Sequence, residues 1–325
     1  MSAKQLATRI LPGGIIAWLD RLVFRARRSR FNLLRRIARL LGLDIARHGD
    51  YYSVLPDHDE LRRNRERWDR PSELAGLSID VGLLGKRLGG LADRWEGDYR
   101  TRTGAWADNQ KRGFGPGYPA FDARTLYYVL RDIRPARYLE VGSGLSTYYA
   151  SVAAAANAED RATMQITCIE PYPYEALSTI PDIELVQDFV QNVPLTTFED
   201  LEDGDVLFID SSHTFKVDSD VSYLLLEVLP RLNPGVLVHI HDVPFPYNAP
   251  YPADYWMFGE RWPVYWNEAM AVQAFLAFND SFEVQLSTPM LRHHDEAFLT
   301  SRFPDYTPVS KDPNPPSSLW LRKIR

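Results

Sequence analysis

Residues 137–147 read RYLEVGSGLST, and this stretch decides the fold of the chain. An apolar segment of strand-forming residues comes first, namely Tyr138, Leu139 and Val141. Gly142 and Gly144 then allow a sharp turn and a close approach of the backbone to a ligand. We expect Ser146 or Thr147 to cap a helix whose first free N–H groups face that ligand. A pair of glycines alone is equally typical of an ordinary strand–turn–helix connection.

The segments around this turn alternate between helix and strand patterns from Phe121 onward. The predicted strands are 137–141, 165–169, 183–186, 205–209 and 236–240, with late strands at 282–286 and 318–322. The predicted helices are 122–132, 147–158, 218–232 and 267–278. Such alternation predicts a doubly wound α/β fold with a mostly parallel sheet and helices on both faces.

Composition narrows the class of protein. The chain has 325 residues, of which 45% are hydrophobic, and one cysteine, Cys168, which we expect in the core. A single cysteine excludes a disulfide framework within the chain and fits a reducing cytoplasm. The net charge is −6, yet residues 1–48 carry eleven basic and two acidic residues, so the remaining chain is strongly acidic. An acidic body argues against nucleic acid as a partner.

Residues 1–60 are predicted to form a basic arm of two amphipathic helices. Their apolar residues recur at helical spacing as Ile15, Leu19, Leu22 and Val23, and as Leu33, Ile37, Leu40 and Leu41. The apolar stripes can dock on the protein's own domain or on a second copy in a homodimer. Alternatively, residues 1–45 contact anionic lipid from the cytoplasmic side, as a peripheral membrane segment. No stretch has the length and composition of a membrane span, and no secretory signal is evident.

Two further segments are rich in aromatic residues. Residues 61–120 are predicted to be a linker, and its glycine- and proline-rich part at 113–119 is either a lid or a packed connection. From 121 to 325 we expect one catalytic domain, with an insertion at 243–266. The aromatic residues of the insertion are Tyr247, Tyr251, Tyr255, Trp256, Trp262, Tyr265 and Trp266. They form an acceptor pocket or simply cap the core.

Polar residues follow each of the five parallel strands. They are Gly142 and Gly144, Glu170, Asp188, Asp210 with His213, and His241 with Asp242. In a doubly wound sheet, ligands bind outside the carboxyl ends of the strands, so we expect these residues to converge on one cleft. Each residue alone has an ordinary explanation as a turn or cap residue. His239 is expected to pack within the sheet.

The order of these motifs resembles that of the class I S-adenosylmethionine-dependent methyltransferases. The matching segments are the turn LEVGSGLST, Ile169-Glu170, LFIDSSH at 207–213 and LNPGVLVHIHDV at 232–243. The chain is most similar to bacterial small-molecule methyltransferases with an I-D-x-x-H segment after strand four and an H-D pair after strand five. The resemblance covers about residues 114–277 and a last strand near Leu319. It implies a seven-stranded, Rossmann-like sheet, and here the arm is an N-terminal helical extension.

The resemblance also implies S-adenosylmethionine as the cofactor and assigns residues to it. The residues implied for the methionine and ribose part are Glu140, Gly142, Ser143, Gly144 and Ser146. Glu170 would hold the ribose hydroxyls, Asp188 would lie near the adenine, and Asp210 would border the cofactor.

Metal-dependent relatives bind a divalent ion through residues that correspond to Asp210, His241 and Asp242. His241 stands where those relatives usually have an oxygen ligand, which weakens a magnesium site and suits manganese, iron or zinc better. A metal-free site, in which His241 acts as a base, remains open.

The resemblance predicts methyl transfer to an oxygen, or less readily a nitrogen, of a small or sugar-containing acceptor. The protein then has to align donor and acceptor and remove a proton, and a neutral His213 or His241 beside Asp210 would serve as the base. One rival is a nicotinamide-dependent oxidoreductase, which would need glycine where Thr147 stands. The other is a non-catalytic protein that keeps the cofactor fold and docks through its arm.

Overall fold

The computed structural model describes residues 29–46, 48–260, 263–312 and 314–325. The chain divides into two compact units, Met1–Asn64 and Arg65–Arg325. In the first unit, residues 29–40 are helical (α1), as the spacing of their apolar residues predicts. A second helix, α2 (His58–Arg63), is capped by Asp57, whose side chain accepts a hydrogen bond from the Glu60 N–H. The predicted helix around Ile15–Val23 lies outside the described residues.

The second unit contains a seven-stranded sheet. Its strands are β1 (Arg137–Val141), β2 (Gln165–Ile169), β3 (Ile183–Val186), β4 (Val206–Ile209), β5 (Leu237–Ile240), β6 (Phe282–Ser287) and β7 (Leu319–Lys323). Their spatial order is β3-β2-β1-β4-β5-β7-β6. The first five strands are parallel, whereas β7 runs antiparallel to both β5 and β6. The predicted doubly wound α/β sheet is confirmed.

The register brings the ends of the central strands together. Val141 is paired with Ile169 on one side and with Ile209 on the other, and Ile209 is paired with Ile240. The next residue of each strand therefore lies at the same edge of the sheet, which places Glu170, Asp210 and His241 along one line. His239, one step inside this edge, is buried and stacks on Phe208 with ring centres 4.2 Å apart, as its predicted packing role requires.

Helices cover both faces of this sheet. They are α3 (Arg65–Trp68), α4 (Val81–Thr103), α5 (Trp106–Gln110), α6 (Ala120–Ile133), α7 (Leu145–Glu159), α8 (Thr196–Glu199), α9 (Asp220–Tyr223), α10 (Ala253–Trp256), α11 (Glu268–Leu276) and α12 (Thr288–Arg302). Helix α9 continues as a π-helical turn, Leu224–Val228, and a 3-10 turn, Leu229–Arg231. No helix among the described residues is long and apolar enough to cross a membrane.

The two longest helices that were not predicted are α4 and α12. Helix α4 starts at an Asp80 cap and buries Leu84, Leu88 and Leu91 along one side, but five interior glycines weaken its helix signal. Its Tyr99 ring packs on Tyr127 of α6 at 5.6 Å. Residues 81–103 are thus a packed helix within the second unit, although the predicted domain division at residue 120 stays a prediction. Helix α12 starts with a Ser287 cap and is kinked at Asp295.

Two aromatic residues of the loop at 113–119 pack into the second unit, to which the loop belongs. Phe114 and Tyr118 are both buried, and Phe114 stacks on Tyr148 of α7 with ring centres 5.3 Å apart. Tyr118 packs against the His241 ring at 4.8 Å. The loop therefore forms part of the wall at the carboxyl ends of the strands, and its role as a lid stays a prediction.

Candidate active site

The glycine turn after β1 is required by the packing of the chain itself. Gly142 has a φ of +83°, and a Cβ atom there would lie 1.9 Å from the Asp210 carbonyl oxygen. A Cβ atom at Gly144 would lie 2.6 Å from the carbonyl oxygen of Phe114. Any side chain at either position would separate the turn from β4 or from the 113–119 loop. The two glycines thus let three segments meet at one edge of the sheet.

The start of α7 differs from the prediction. Ser146 does not cap this helix, which begins at Leu145; Thr147, its third residue, takes part in the cap only as a hydrogen-bond acceptor. Both hydroxyls instead donate to the carboxylate of Glu140, with 2.7 Å for Thr147, and the Thr147 oxygen also accepts from the Gly144 N–H. Burial raises the pKa of Glu140 to about 8, although these hydroxyl donors act in the opposite direction. Glu140 therefore holds the turn after β1 in place through these two hydroxyls. Its contact with the cofactor stays a prediction.

A cleft of about 400 Å³ opens at the carboxyl ends of β1, β2 and β4. Its lining includes Gly142, Glu170, Tyr172, Phe189, Asp210 and Ser211. The Glu170 carboxylate accepts hydrogen bonds from the N–H groups of Ser143 (3.2 Å) and Tyr172 (2.7 Å). Each carboxylate oxygen can accept a further bond, so Glu170 keeps capacity for a ligand hydroxyl.

Two serine hydroxyls beside this cleft lack partners. The Oγ atoms of Ser143 and Ser211 are buried, and neither has a hydrogen bond to any part of the chain that the structure describes. A buried hydroxyl without a partner is costly, and a polar ligand would satisfy it. Asp188 lies apart from the cleft lining and accepts from the Phe189 N–H and Asn192, each at 2.7 Å. Its predicted position near the adenine stays a prediction.

The ends of β4 and β5 bring two histidines and two aspartates together. Asp210 Oδ1 lies 3.3 Å from His213 Nε2 and 3.3 Å from His241 Nδ1. Asp242 Oδ2 lies 3.4 Å from His213 Nε2, and its Oδ1 lies 3.7 Å from His241 Nδ1. The four residues predicted from the strand ends therefore form one charged cluster. Asp210 belongs both to this cluster and to the cleft.

Residues that the sequence did not indicate surround the cluster. Glu268, the first residue of α11, lies 2.8 Å from His213 Nδ1, and both groups are buried. Asp122, in α6, lies 3.3 Å from His241 Nε2. Ser317, just before β7, donates its N–H to Asp122 (2.8 Å) and its hydroxyl to Asp242 (2.8 Å). Asp122 could have been found from the sequence as an acidic residue on the apolar face of a predicted helix. No sequence feature indicated Ser317.

The charges in the cluster determine its protonation. Burial alone would lower the pKa of His213, but its contacts with Asp210 and Glu268 raise it well above the usual value. His241 behaves in the same way, because Asp210 and Asp242 outweigh its burial. The pKa of Asp210 is low despite burial, because both histidines stabilise its charge. The carboxylates therefore favour the protonated form of both imidazoles, and the neutral histidine base stays a prediction.

The backbone at the cluster is also unusual. His213 and Asp242 have φ values of +56° and +55°, in the left-handed region that residues other than glycine seldom adopt. Such conformations cost free energy and are concentrated at functional sites. In this chain they aim two side chains of adjacent strand ends at one point.

The geometry fits a divalent cation. One ligand atom from each of Asp210, His241 and Asp242 can be chosen so that all three lie within 4.8 Å of one another. His241 Nδ1 is buried without a hydrogen-bond partner among the described residues, while Nε2 faces Asp122. A carboxylate on the second ring nitrogen is the usual arrangement of a metal-binding histidine. One nitrogen and two carboxylates favour manganese, iron or zinc over magnesium.

Part of the aromatic insertion borders the cluster. The Trp266 ring lies 4.6 Å from the His213 ring, and Trp256 lies 5.1 Å from Trp266. Tyr247 and Tyr251 stack on each other at 4.0 Å. Trp262 lies outside the described residues. The insertion thus reaches the cluster, and its use as an acceptor pocket stays a prediction.

Comparisons with known proteins bear on this site. No curated protein matches the chain significantly. Among solved structures, the chain is similar to a methyltransferase of Podospora anserina bound to SAH, with 15% identity, 84% and 99% of the two chains covered and a TM-score of 0.37. An O-methyltransferase from Bacillus cereus in complex with SAH is 11% identical, with 76% of this chain and 100% of that chain covered and a TM-score of 0.40. The O-methyltransferase TomG from Streptomyces achromogenes, in complex with SAM, is 14% identical, with 76% of this chain and 91% of that chain covered and a TM-score of 0.38.

These structural similarities are too distant to carry a residue-by-residue correspondence. A family model described as a methyltransferase domain, however, matches residues 139–243. This range runs from β1 through the end of β5 and includes the glycine turn, Glu170 and the charged cluster. Residues 139–243 therefore match a methyltransferase-domain model, in agreement with the predicted resemblance to the class I methyltransferases.

Proposed function

We propose that this protein transfers the methyl group of S-adenosylmethionine to a hydroxyl oxygen of a small or sugar-containing acceptor. One observation carries the proposal: Asp210 lines the cleft beside the glycine turn and also contacts both histidines of the cluster. A donor bound in the cleft would place its reactive methyl next to groups that hold and move protons. Such adjacency is what methyl transfer to a hydroxyl requires.

The cleft offers the contacts that the nucleoside part of the cofactor needs. Glu170 has free acceptor capacity for ribose hydroxyls, and the unpartnered hydroxyls of Ser143 and Ser211 lie close by. Thr147 stands where a dinucleotide-binding turn has its third glycine, and its hydroxyl is committed to Glu140. This substitution favours S-adenosylmethionine over a nicotinamide cofactor.

The cofactor supplies an electrophilic sulfonium, so the protein has to align the acceptor and remove its proton. We assign the base to His213, because Glu268 fixes its Nδ1 side and leaves Nε2 at the meeting point of Asp210 and Asp242. His213 must first release the proton that these carboxylates stabilise. His241 is 1% exposed and fixed between Asp122 and Asp210, so it positions the cluster.

A divalent ion held by Asp210, His241 and Asp242 would supply Lewis-acid chemistry, which lowers the pKa of a coordinated hydroxyl. Its charge would also oppose the protonation of the neighbouring His213.

The test is incubation of the protein with methyl-labelled S-adenosylmethionine and a panel of matched phenols, sugar alcohols and amines. We expect label in hydroxylated acceptors and formation of S-adenosylhomocysteine in equal amount. Transfer confined to the matched amines would contradict the assignment to oxygen. Absence of cofactor turnover with every acceptor and with added Mn²⁺ would contradict the activity.

The arm supports a second proposal, that this protein contacts an anionic membrane surface from the cytoplasm. In α1, Leu33, Leu34 and Ile37 are exposed, and the arginines Arg35 and Arg36 lie between them. Exposed apolar residues beside basic ones suit the membrane interface. Sedimentation with anionic liposomes should be lost on removal of residues 1–45. Equal sedimentation of both proteins would contradict this role.

A further inference from the structure

Three arginines are buried in the part of the chain that the structure describes: Arg124, Arg131 and Arg292, each at most 5% exposed. Arg124 donates to Asp305 at 2.8 Å. Arg131 is paired with Asp98 at 2.9 Å and with Asp160 at 3.0 Å. Arg292 has no ion pair with any described residue, although it is buried as deeply as the other two.

The contacts of Arg292 leave one of its donors unused. Its Nη1 donates to the carbonyl oxygen of Pro316 at 3.3 Å, and the guanidinium lies over the Tyr251 ring, 4.9 Å from its centre. Its Nη2 is buried and has no hydrogen-bond partner among the described residues. Burial lowers the pKa of Arg292; charge interactions with Tyr251, Tyr306 and Asp122 offset this only in part, and no carboxylate forms a hydrogen bond with it. A buried charge without a partner is strongly unfavourable, so folding alone does not explain this residue.

The position of Arg292 relates it to the active site. Thr288 lies one turn earlier on the same face of α12 and donates to Asp122 at 3.0 Å, the residue that holds His241. Pro316, which binds the guanidinium, directly precedes Ser317, which donates to Asp242. Arg292 therefore lies between the back of the charged cluster and Tyr251 of the aromatic insertion.

The cofactor cleft lies on another side of the cluster. Its lining comes from the ends of β1, β2 and β4 and the segments that follow them, and includes no residue of α12. Arg292 instead contacts Tyr251 of the insertion, the segment where the acceptor is expected.

We propose that Arg292 binds a compact oxyanion, a carboxylate or a phosphate, that the methyl acceptor carries. The proposal rests on the proposed function, because it names the class of acceptor for that site. A planar guanidinium recognises such oxygens through charge-assisted hydrogen bonds, and the stacked Tyr247 and Tyr251 offer an aromatic surface beside it.

Thermal unfolding of two matched variants separates binding from folding. Arg292→Met leaves no carboxylate unpaired, so its melting temperature should equal or exceed that of the wild type. Arg131→Met removes a buried partner of Asp98, Asp160 and Asn157, although Arg102 and Arg134 still pair with the two aspartates, and should lower the melting temperature by a few degrees. An equally large loss in Arg292→Met would show that Arg292 supports the fold, and would overturn the proposal.

Anion titrations then test the site directly. Sodium acetate and sodium phosphate are added at constant ionic strength, balanced with sodium chloride, with and without saturating S-adenosylhomocysteine. Acetate, phosphate or both should raise the melting temperature of the wild type and of Arg131→Met to a plateau. Arg292→Met should lose this response. A response to acetate alone assigns a carboxylate, and a response to phosphate alone assigns a phosphate.

Other outcomes of these titrations would contradict the anion site or its assignment to the acceptor. An absent response in the wild type, or an unchanged response in Arg292→Met, would overturn the anion site. Loss of the response when S-adenosylhomocysteine is added would assign Arg292 to the cofactor's own carboxylate and overturn the acceptor assignment. Because no readout uses methyl transfer, a missing anion response leaves the proposed methyltransferase activity standing. An anion response without binding of S-adenosylhomocysteine would instead contradict the proposed activity.

Discussion

The proposed cofactor side and the proposed acceptor side of this site are built in different ways. On the cofactor side, the turn after β1 and Glu170 after β2 come from two short segments that follow adjacent strands. On the acceptor side, the cluster at Asp210 and His241 is completed by Asp122, Glu268 and Ser317, which lie far apart along the chain. The first side is local and mostly hydrogen-bonded through backbone groups. The second side is a long-range network of buried charges.

This difference assigns separate tasks to the two sides. Glu170 interacts with N–H groups of its own turn and keeps lone pairs for a ligand, as a binding residue does. His213 interacts with three carboxylates, which control its proton. Variants on the cofactor side should therefore change affinity for the cofactor, whereas variants on the acceptor side should change turnover.

The largest effect should come from His213→Gln, which removes the proposed base. We expect kcat to fall about 10²- to 10⁴-fold, the usual contribution of general-base catalysis. The dissociation constant of S-adenosylhomocysteine, measured by calorimetry, should change less than about threefold. The control is Thr214→Ala, next to His213, which lies outside the cleft lining and whose hydroxyl donates to the Ser212 carbonyl oxygen. An unchanged kcat in His213→Gln would contradict the assignment of His213 as the base.

The variant Asp122→Asn tests whether the residues behind the cluster support binding of a cation. Loss of the Asp122 charge beside His241 Nε2 should weaken Mn²⁺ binding about 10- to 100-fold, measured by electron paramagnetic resonance of free Mn²⁺. The matched control is Asp132→Asn at the other end of the same helix, where the carboxylate binds Arg94 and Trp95. If the wild type bound no Mn²⁺, the cation site itself would be contradicted.

Glu170→Gln addresses the cofactor side. The dissociation constant of S-adenosylhomocysteine should rise about tenfold, because a charged acceptor for the ribose hydroxyls is lost. The kcat at saturating cofactor should stay within about threefold of the wild type. Glu175→Gln, in the exposed turn after β2, is the control. A fall in kcat without a change in affinity for S-adenosylhomocysteine would contradict the assignment of binding to one side and turnover to the other.

The sequence predicts the cofactor side better than the acceptor side for a physical reason. Strands β1, β2 and β3 begin and end where their apolar runs predict, and the glycines and Glu170 follow them directly. Such signals depend on neighbours in the chain. The contacts of Asp122, Glu268 and Ser317 depend on the packing of α6, α11 and the segment before β7 around the sheet, so no local pattern reveals them.

The same reason explains the remaining differences. Ser146 and Thr147 were expected to cap a helix, but both hydroxyls donate to the buried Glu140, and only the Thr147 oxygen also accepts from the Gly144 N–H. The raised pKa of His213 follows from carboxylates contributed by three separate segments. Helix α4 was missed because its glycines mask an apolar stripe that only packing on α6 stabilises.

The smallest effect concerns Glu140 and pH. Its pKa rises from 4.5 to about 8 on folding, so the unfolded chain releases this proton at lower pH than the folded chain. Stability should therefore fall as pH rises from about 4.5 to 8. Glu140→Gln should lose less stability across this range, by a few degrees in melting temperature. The control is Glu184→Gln, on the edge strand β3. Parallel curves for Glu140→Gln and wild type would contradict the raised pKa.

The central claim is that the cleft beside the glycine turn binds S-adenosylmethionine, and calorimetric titration of the wild-type protein tests it most directly. S-adenosylhomocysteine and NADH are titrated separately into the same protein. We predict saturable binding of one S-adenosylhomocysteine per chain and no saturable heat with NADH. Tight binding of NADH without binding of S-adenosylhomocysteine would contradict the account.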